Sequence, residues 1–374
     1  MAWPVVRRAA GSNNRAKLTL LPANPGGGST LANLQGVRAV AAIGVVVFHF
    51  GLMPATQLPF GVGAAGVDLF FVLSGFIIAH SSARGGRHFL AHRLIRVVPA
   101  YWIATLIAAL FTLQSLDAAG AFGWLVQSLF YLPGPGGRPA LIFVAWTLVY
   151  ELAFYLLYWL ALRFGPRRAP AIALPLLFIL GLASLPAAPG PWPLLLEFAI
   201  GVGIFLLTER LAGVRAIPGV AGLALAGLGL VLLPVTPVLA GYGPDDYRSL
   251  ERVLCWGLPS GAIVLGLVIA EQRGLAVRSR AVLVVGAASY AIYLLHPIMV
   301  GQLLQLPAAR PPLTWLYGLG AVTVTMALSV AFHIAVEAPL LRWMRGLMRD
   351  RPPVEQRFEA EAPAGPQPLP SPPP

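Results

Sequence analysis

Arg38 and His49 share one apolar stretch, LQGVRAVAAIGVVVFHF, and stand eleven positions apart. Eleven residues make about three turns of α-helix, so both side chains point the same way, roughly 16 Å apart. Ionisable groups inside an apolar span are costly and mark functional paths. A guanidinium at one end of this face holds an anion, and an imidazole at the other moves a proton near neutral pH. Arg93 and Arg96 are three positions apart in HRLIRVVPAYW and share a helix face. Planar guanidinium groups grip phosphate through paired hydrogen bonds and keep their charge when partly desolvated. Two acids also sit in apolar stretches, Asp68 in GVDLFFVLSGF and Glu151 in WTLVYELAFY. Each residue alone has a plain structural explanation: snorkelling for Arg38, an interhelical hydrogen bond for His49, packing salt bridges for the acids. Together they weigh differently, because every intramembrane charge needs its own compensation.

The elements that hold these groups follow from composition. The chain has 374 residues, of which 57% are hydrophobic and 11% charged, and its mean hydropathy is +0.76. Soluble domains carry about 25% charged residues. The fold class is therefore all-α, a polytopic transmembrane helical bundle. A net charge of +12 raises the question of nucleic acid. The arginines instead fall in short breaks between apolar stretches, so no nucleic acid partner is expected. The single Cys255 excludes an internal disulfide and a Cys-based metal site. No histidine pair has metal-ligand spacing with a carboxylate, and no metal is expected.

Ten spans are predicted, near residues 37–53, 62–80, 97–114, 144–162, 169–185, 193–208, 217–240, 252–270, 281–304 and 313–340. With the N-terminus cytoplasmic, the inner loops hold most of the arginines. Arg84, Arg87, Arg93 and Arg96, then Arg163, Arg167 and Arg168, then Arg273, Arg278 and Arg280 all fall inside. This asymmetry predicts both termini cytoplasmic and a multi-pass protein of the inner membrane. Residues 121–132 are apolar but short, so they read as an interfacial or re-entrant helix; an eleventh span there is the alternative. Three regions are expected: a disordered basic segment over 1–33, a transmembrane domain over 34–345, and a disordered Pro-rich tail over 346–374. No cleavable signal peptide is evident, and no internal repeat stands out.

His296 in SYAIYLLHPIM and Glu337 in VEAPLL precede prolines at helix irregularities, where structural roles are the simpler reading. Glu197 and His333 read as structural, and His80, His88 and His92 as interfacial.

Six stretches, taken together, resemble the acyltransferase 3 family of membrane O-acyltransferases. They are LQGVRAVAAIGVVVFHF, GAAGVDLFFVLSGFIIAH, HRLIRVVPAYW, WTLVYELAFYLL, SYAIYLLHPIM and VEAPLL, and they run in order from residue 34 to 341. The fourth block and the bare ten-span length look most like the exopolysaccharide acetyltransferases that modify succinoglycan-type polymers. The resemblance implies that Arg38 and His49 are the family's Arg-x10-His pair and that Arg93 and Arg96 are its acyl-CoA-linked R-x-x-R motif. It matches Asp68, Ser74, Gly75 and Phe76 to the second-span block, Glu151 to the acid of the fourth, and Glu337 to the last-span acid. The E-A-P spacing departs from the commoner basic residue before the proline. The implied enzyme is an O-acetyltransferase, with acetyl-CoA or another acyl-CoA as donor substrate and a glycan or lipid-linked saccharide as acceptor, working among membrane lipids.

In that reading His49 takes the proton from a sugar hydroxyl, Asp68 or Glu151 fixes its tautomer, and Arg93, Arg96 and Arg38 hold the donor phosphates. No serine or cysteine stands out as a nucleophile, which favours direct transfer. The competing class is a transporter or flippase of a lipid-linked saccharide, which would move its substrate without consuming acyl-CoA.

Overall fold

The computed structural model describes residues 31–51, 61–83, 85, 88–132, 138–183, 192–211, 217–242, 250–303 and 314–348. The segments 1–30 and 349–374, which hold most of the two tails expected to be disordered, lie outside these residues.

Long apolar runs with few charges build helices, because a helix satisfies every backbone group internally where no water reaches. The first is α1 (Ala32–Gly51), followed by α2 (Gly66–Ser82) with a 3₁₀ turn at its start, α3 (Phe89–Thr112) and α4 (Ala118–Leu129). Next come α5 (Trp146–Leu162), α6 (Ala169–Ala183), α7 (Leu195–Leu211) and α8 (Gly219–Ala240). The chain closes with α9 (Leu250–Arg252), α10 (Leu258–Gln272), α11 (Arg280–Ala287), α12 (Ser289–Leu303), α13 (Thr314–Phe332) and α14 (Ala338–Leu347). Among the described residues there is no strand. Seven of these stretches are long and apolar enough to cross a membrane, and an eighth is formed if α11 and α12, bent by 66°, make one broken span. α6 and α7 are shorter, at 15 and 17 residues. Helix therefore occupies most of the described residues in each of the ten segments named from sequence.

The largest boundary difference is at α3, which begins at Phe89, eight residues before the predicted 97, so the shared face of Arg93 and Arg96 belongs to the span's own helix. α4 is a 12-residue helix, rising only about 18 Å against a hydrocarbon core of about 30 Å. It lies against α3, where Trp102 Nε1 donates to the Leu129 carbonyl (3.0 Å) and Tyr101 donates to that of Ser128.

Small residues set the tightest crossings, as expected where helix association depends on close packing. A methyl group on Gly75 of α2 would meet the Phe198 carbonyl of α7, and one on Gly201 of α7 would meet that of Val72. α8 and α10 cross in the same way at Gly222 and Gly266. These contacts hold α2 against α7 and α8 against α10, and the first fixes which face of α2 meets α7.

π-Turns interrupt two spans, over Val253–Gly257 and His333–Glu337. Such turns shift the register of the downstream helix and occur often at functional sites.

Candidate active site

Arg38, one turn and a half into α1, donates from Nε and Nη2 to the Ser289 hydroxyl at 3.1 and 2.9 Å. Its guanidinium thereby faces a cavity of about 100 Å³ between α1, α2, α3, α5 and α12. Such a volume holds several waters. Arg93 and Arg96 of α3 line it, as do Ser74 of α2, Glu151 and Tyr155 of α5, and Tyr290 and Tyr293 of α12. Glu151 accepts hydrogen bonds from Ser74 Oγ (3.3 Å) and from Tyr155 Oη. Arg93 donates to Ser81 Oγ at 2.7 Å and lies 5.5 Å from the Phe89 ring.

The cavity's charge is unbalanced. Arg38 stands within Coulombic range of Arg96, Glu337 and Glu151. Glu337 is already paired with His333 Nδ1 at 2.8 Å, four residues before it on the π-turn. Among the described residues, Glu151 is the single acid lining a cavity that three guanidinium groups also line. Arg345 of α14 adds a fourth cation within range of Arg96 and Arg93, and its Nε is buried without a hydrogen-bond partner among the described residues. Such a cluster is arranged to receive an anion with several oxygens.

The histidine end lies beyond one wall. Tyr293 Oη and Thr147 Oγ1 share a hydrogen bond of 2.7 Å, both against the Val144 carbonyl. Past Tyr293, at 5.7 Å between ring centroids, is His296, fully buried. His296 in turn lies 4.9 Å from His49. The Phe143 ring packs 5.2 Å from His49. His49 Nδ1 donates to the Val45 carbonyl at 2.9 Å, which leaves Nε2 as the nitrogen with the free lone pair.

The structure therefore brings together Arg38, Arg93, Arg96 and Glu151 of the residues named from sequence. It does not bring His49 into the cavity lining, and it joins neither Asp68 nor Glu151 to the His49 ring. In this structure neither acid is hydrogen-bonded to the imidazole expected to be oriented by one of them. Glu151 faces the arginines. Asp68, fully buried, takes two hydrogen bonds from Arg252, Nε at 2.9 Å and Nη2 at 2.6 Å. Arg252 also donates to the Ala64 carbonyl (3.0 Å) and lies 4.8 Å from the Trp256 ring. Glu197 of α7, also fully buried, stands within Coulombic reach of both. The reason is register. Gly75 and Gly201 draw α2 onto α7, and that face of α2 carries Asp68 toward Arg252 and Glu197.

Sequence reasoning passed over Arg252, Ser289 and Arg345. Arg252 stands at the edge of an apolar run, where it reads as an ordinary flanking charge. Among the described residues no group of three His, Cys, Asp or Glu side chains gathers as a metal site.

Comparison with known proteins bears directly on this arrangement. An acyltransferase domain model of the acyltransferase 3 type matches residues 31–334. The exopolysaccharide production protein ExoZ of Rhizobium meliloti is 29% identical over 311 residues, covering 76% of this chain and 91% of that protein. The acyltransferase MdmB of Streptomyces mycarofaciens is 28% identical, covering 83% of this chain and 92% of the relative. The O-acetyltransferase OatA of Staphylococcus aureus is 30% identical over 179 residues, which span 41% of this chain and 28% of OatA. No solved structure matches. The match runs from the start of α1 to the π-turn before α14 and includes every residue that lines the arginine cavity, so the chain belongs to the acyltransferase 3 family of membrane O-acyltransferases.

Proposed function

We propose that this acyltransferase moves an acyl group, acetyl in the simplest case, from a cytoplasmic acyl-CoA to a sugar hydroxyl of an extracytoplasmic or lipid-linked polysaccharide. The observation that carries the proposal is the cavity walled by Arg38, Arg93 and Arg96, set on the same helix, α1, that bears His49 about three turns further on.

The topology proposed with it has ten crossings, counting α6 and α7, with both termini in the cytoplasm. The clusters Arg163, Arg167, Arg168 and Arg273, Arg278, Arg280 then fall inside, as the positive-inside rule favours. The arginine cavity opens toward the cytoplasm and His49 lies near the far surface.

Each residue has a stated part. Arg93, Arg96 and Arg38 bind the donor's phosphates through charge-assisted hydrogen bonds. Glu151 offsets part of their mutual repulsion and fixes Tyr155 and Ser74 in the wall. The donor's pantetheine arm spans the roughly 16 Å to His49, passing the Thr147–Tyr293 hydrogen bond, which opens to admit it. His49 Nε2 accepts the proton of the sugar hydroxyl as its oxygen attacks the thioester carbon. Asp68 is a positioning residue that ties α2 to α9 through Arg252. The sugar acceptor is proposed by analogy with ExoZ, whose name ties it to exopolysaccharide production.

The test uses a host lacking this protein and complemented with the full chain. Mass spectrometry of its surface polysaccharide should show one acyl mass per modified sugar, absent without the protein. His49→Ala should remove that mass, corresponding to a rate loss of about 10²- to 10⁴-fold, while insertion in the membrane is unchanged. Undiminished acylation by His49→Ala would overturn the assignment of the base.

A further inference from the structure

We infer that His296 is a positioning residue for the acyl transfer, acting as the neutral hydrogen-bond acceptor that stabilises His49 once it has taken the substrate proton. The inference rests on the reading of His49 as the base, and it fills the place that neither Asp68 nor Glu151 occupies.

The geometry is specific. Both imidazoles are tied at Nδ1 to a carbonyl one turn back on their own helices, His49 to Val45 at 2.9 Å and His296 to Ile292 at 3.2 Å. A carbonyl only accepts, so each Nδ1 carries a hydrogen and each neutral ring presents a bare lone pair at Nε2. The ring centroids are 4.9 Å apart and the planes are inclined by 45°. His296 is fully buried, and its Nε2 has no hydrogen-bond partner among the described residues. The rings around the pair are Phe48 from α1, Tyr293 from α12 and Phe143 from the turn before α5, and among the described residues no acid is hydrogen-bonded to either imidazole. A fully buried imidazole without an acid beside it is neutral.

In the resting enzyme, then, two imidazoles with centroids 4.9 Å apart each carry an acceptor at Nε2, and two acceptors cannot bond to each other. A buried acceptor left unpaired is unfavourable. Proton transfer changes this. The acceptor O–H bond breaks and the His49 Nε2–H bond forms, while the sugar oxygen bonds to the acyl carbon. His49 is now an imidazolium, and its new N–H has the lone pair of His296 Nε2 within reach of a small ring rotation. When the C–S bond breaks, the proton passes from His49 to the departing sulfur, giving free CoA thiol and the neutral pair again. His296 never changes its own protonation. It favours the charged state of His49 that exists during the reaction over the one before it, which is the condition for raising kcat rather than tightening binding.

The test is steady-state kinetics of the full chain in liposomes. Acetyl-CoA is the donor, and host surface polysaccharide freed of its esters by mild alkali is the acceptor. His296→Phe fills the space without an acceptor and should lower kcat about 10- to 100-fold with the KM for acetyl-CoA unchanged. His296→Gln supplies an acceptor oxygen and should recover most of the lost kcat. Size-exclusion profiles of both variants establish that they fold. Equal losses in the two variants, an unchanged kcat in both, or a loss confined to KM would each overturn the inference while leaving the His49 reading intact. If His49→Ala keeps full activity in the same assay, the base assignment fails and this inference fails with it.

Discussion

Arg252 and Arg38 are both guanidinium groups sunk in apolar helices, yet their surroundings have little in common. Arg252 is closed on every side: two hydrogen bonds to Asp68, one to the Ala64 carbonyl, the Trp256 ring at 4.8 Å, and Glu197 close by. Its side chain is 3% exposed and that of Asp68 0%. Arg38 has a serine hydroxyl and then open space, shared with Arg93, Arg96 and one acid. The first centre pairs its guanidinium directly with a buried carboxylate. The second gathers three guanidinium groups and one acid around a cavity. A closed ion pair joins helices; an open cluster of excess positive charge is suited to an anion. The residue types are identical, and volume and charge balance separate the roles.

The contrast is broken most directly at the closed centre. Arg252→Gln leaves the Asp68 carboxylate buried beside an uncharged group. Stripping one partner from a buried pair is destabilising by about 3–5 kcal/mol, so the variant should yield little folded protein by size exclusion in detergent. Combining it with Asp68→Asn replaces the ion pair by two amides of similar size, and both folding and acyl transfer should return in large part. If the double variant folds but transfers no acyl group, Asp68 takes part in the chemistry and the contrast fails.

The open centre should respond in the opposite way. Arg93→Gln and Arg96→Gln each remove a charged donor to phosphate, and each should raise the KM for acetyl-CoA about tenfold with kcat little changed. Their melting temperatures should hold or rise, because like charges around a cavity repel. A fall in melting temperature matching that of Arg252→Gln would mean these arginines hold the bundle together rather than a donor. Arg345→Gln should follow the same pattern with a smaller shift in KM, since Arg345 approaches Arg96 and Arg93 from α14 and is not part of the cavity wall.

How far the sequence reaches is set by the range over which each signal acts. Helices were legible because apolar length and sparse charge are local properties. The shared face of Arg38 and His49, and that of Arg93 and Arg96, followed from helical period alone. The grouping of Arg38 with Arg93 and Arg96 was expected from the reading that the family resemblance implies, in which all three hold the donor's phosphates, and not from any contact visible in the sequence. The place of Glu151 among them was not legible, nor were pairings between distant helices. Asp68 and Arg252 are 184 positions apart, and the crossing of α2 on α7 at Gly75 and Gly201 turns Asp68 toward Arg252 of α9 and not toward His49. Arg252 was also hidden by placing a span boundary at 252, which made it look like an ordinary flanking charge. The π-turn at Val253–Gly257 adds a register shift that a 3.6-residue period does not anticipate. His296 was read as structural because its own segment shows only a histidine before a proline; its meaning lies on α1.

The finest distinction between the two centres concerns Ser289. It is fully buried and accepts both hydrogen bonds from Arg38, so it is to Arg38 what Asp68 is to Arg252, without the charge. Ser289→Ala removes a neutral acceptor. The guanidinium then has to turn into the cavity for its partners, where water supplies them, so the cost is about 1 kcal/mol rather than that of a stranded ion. The expected result is a KM for acetyl-CoA raised a fewfold, as Arg38 loses its fixed direction, with a melting temperature close to that of the parent. Ser289→Thr retains the hydroxyl and should restore the KM. If Ser289→Ala instead unfolds the protein as Arg252→Gln does, Arg38 is a joint between α1 and α12, and the anion site is left to α3 and α14 alone.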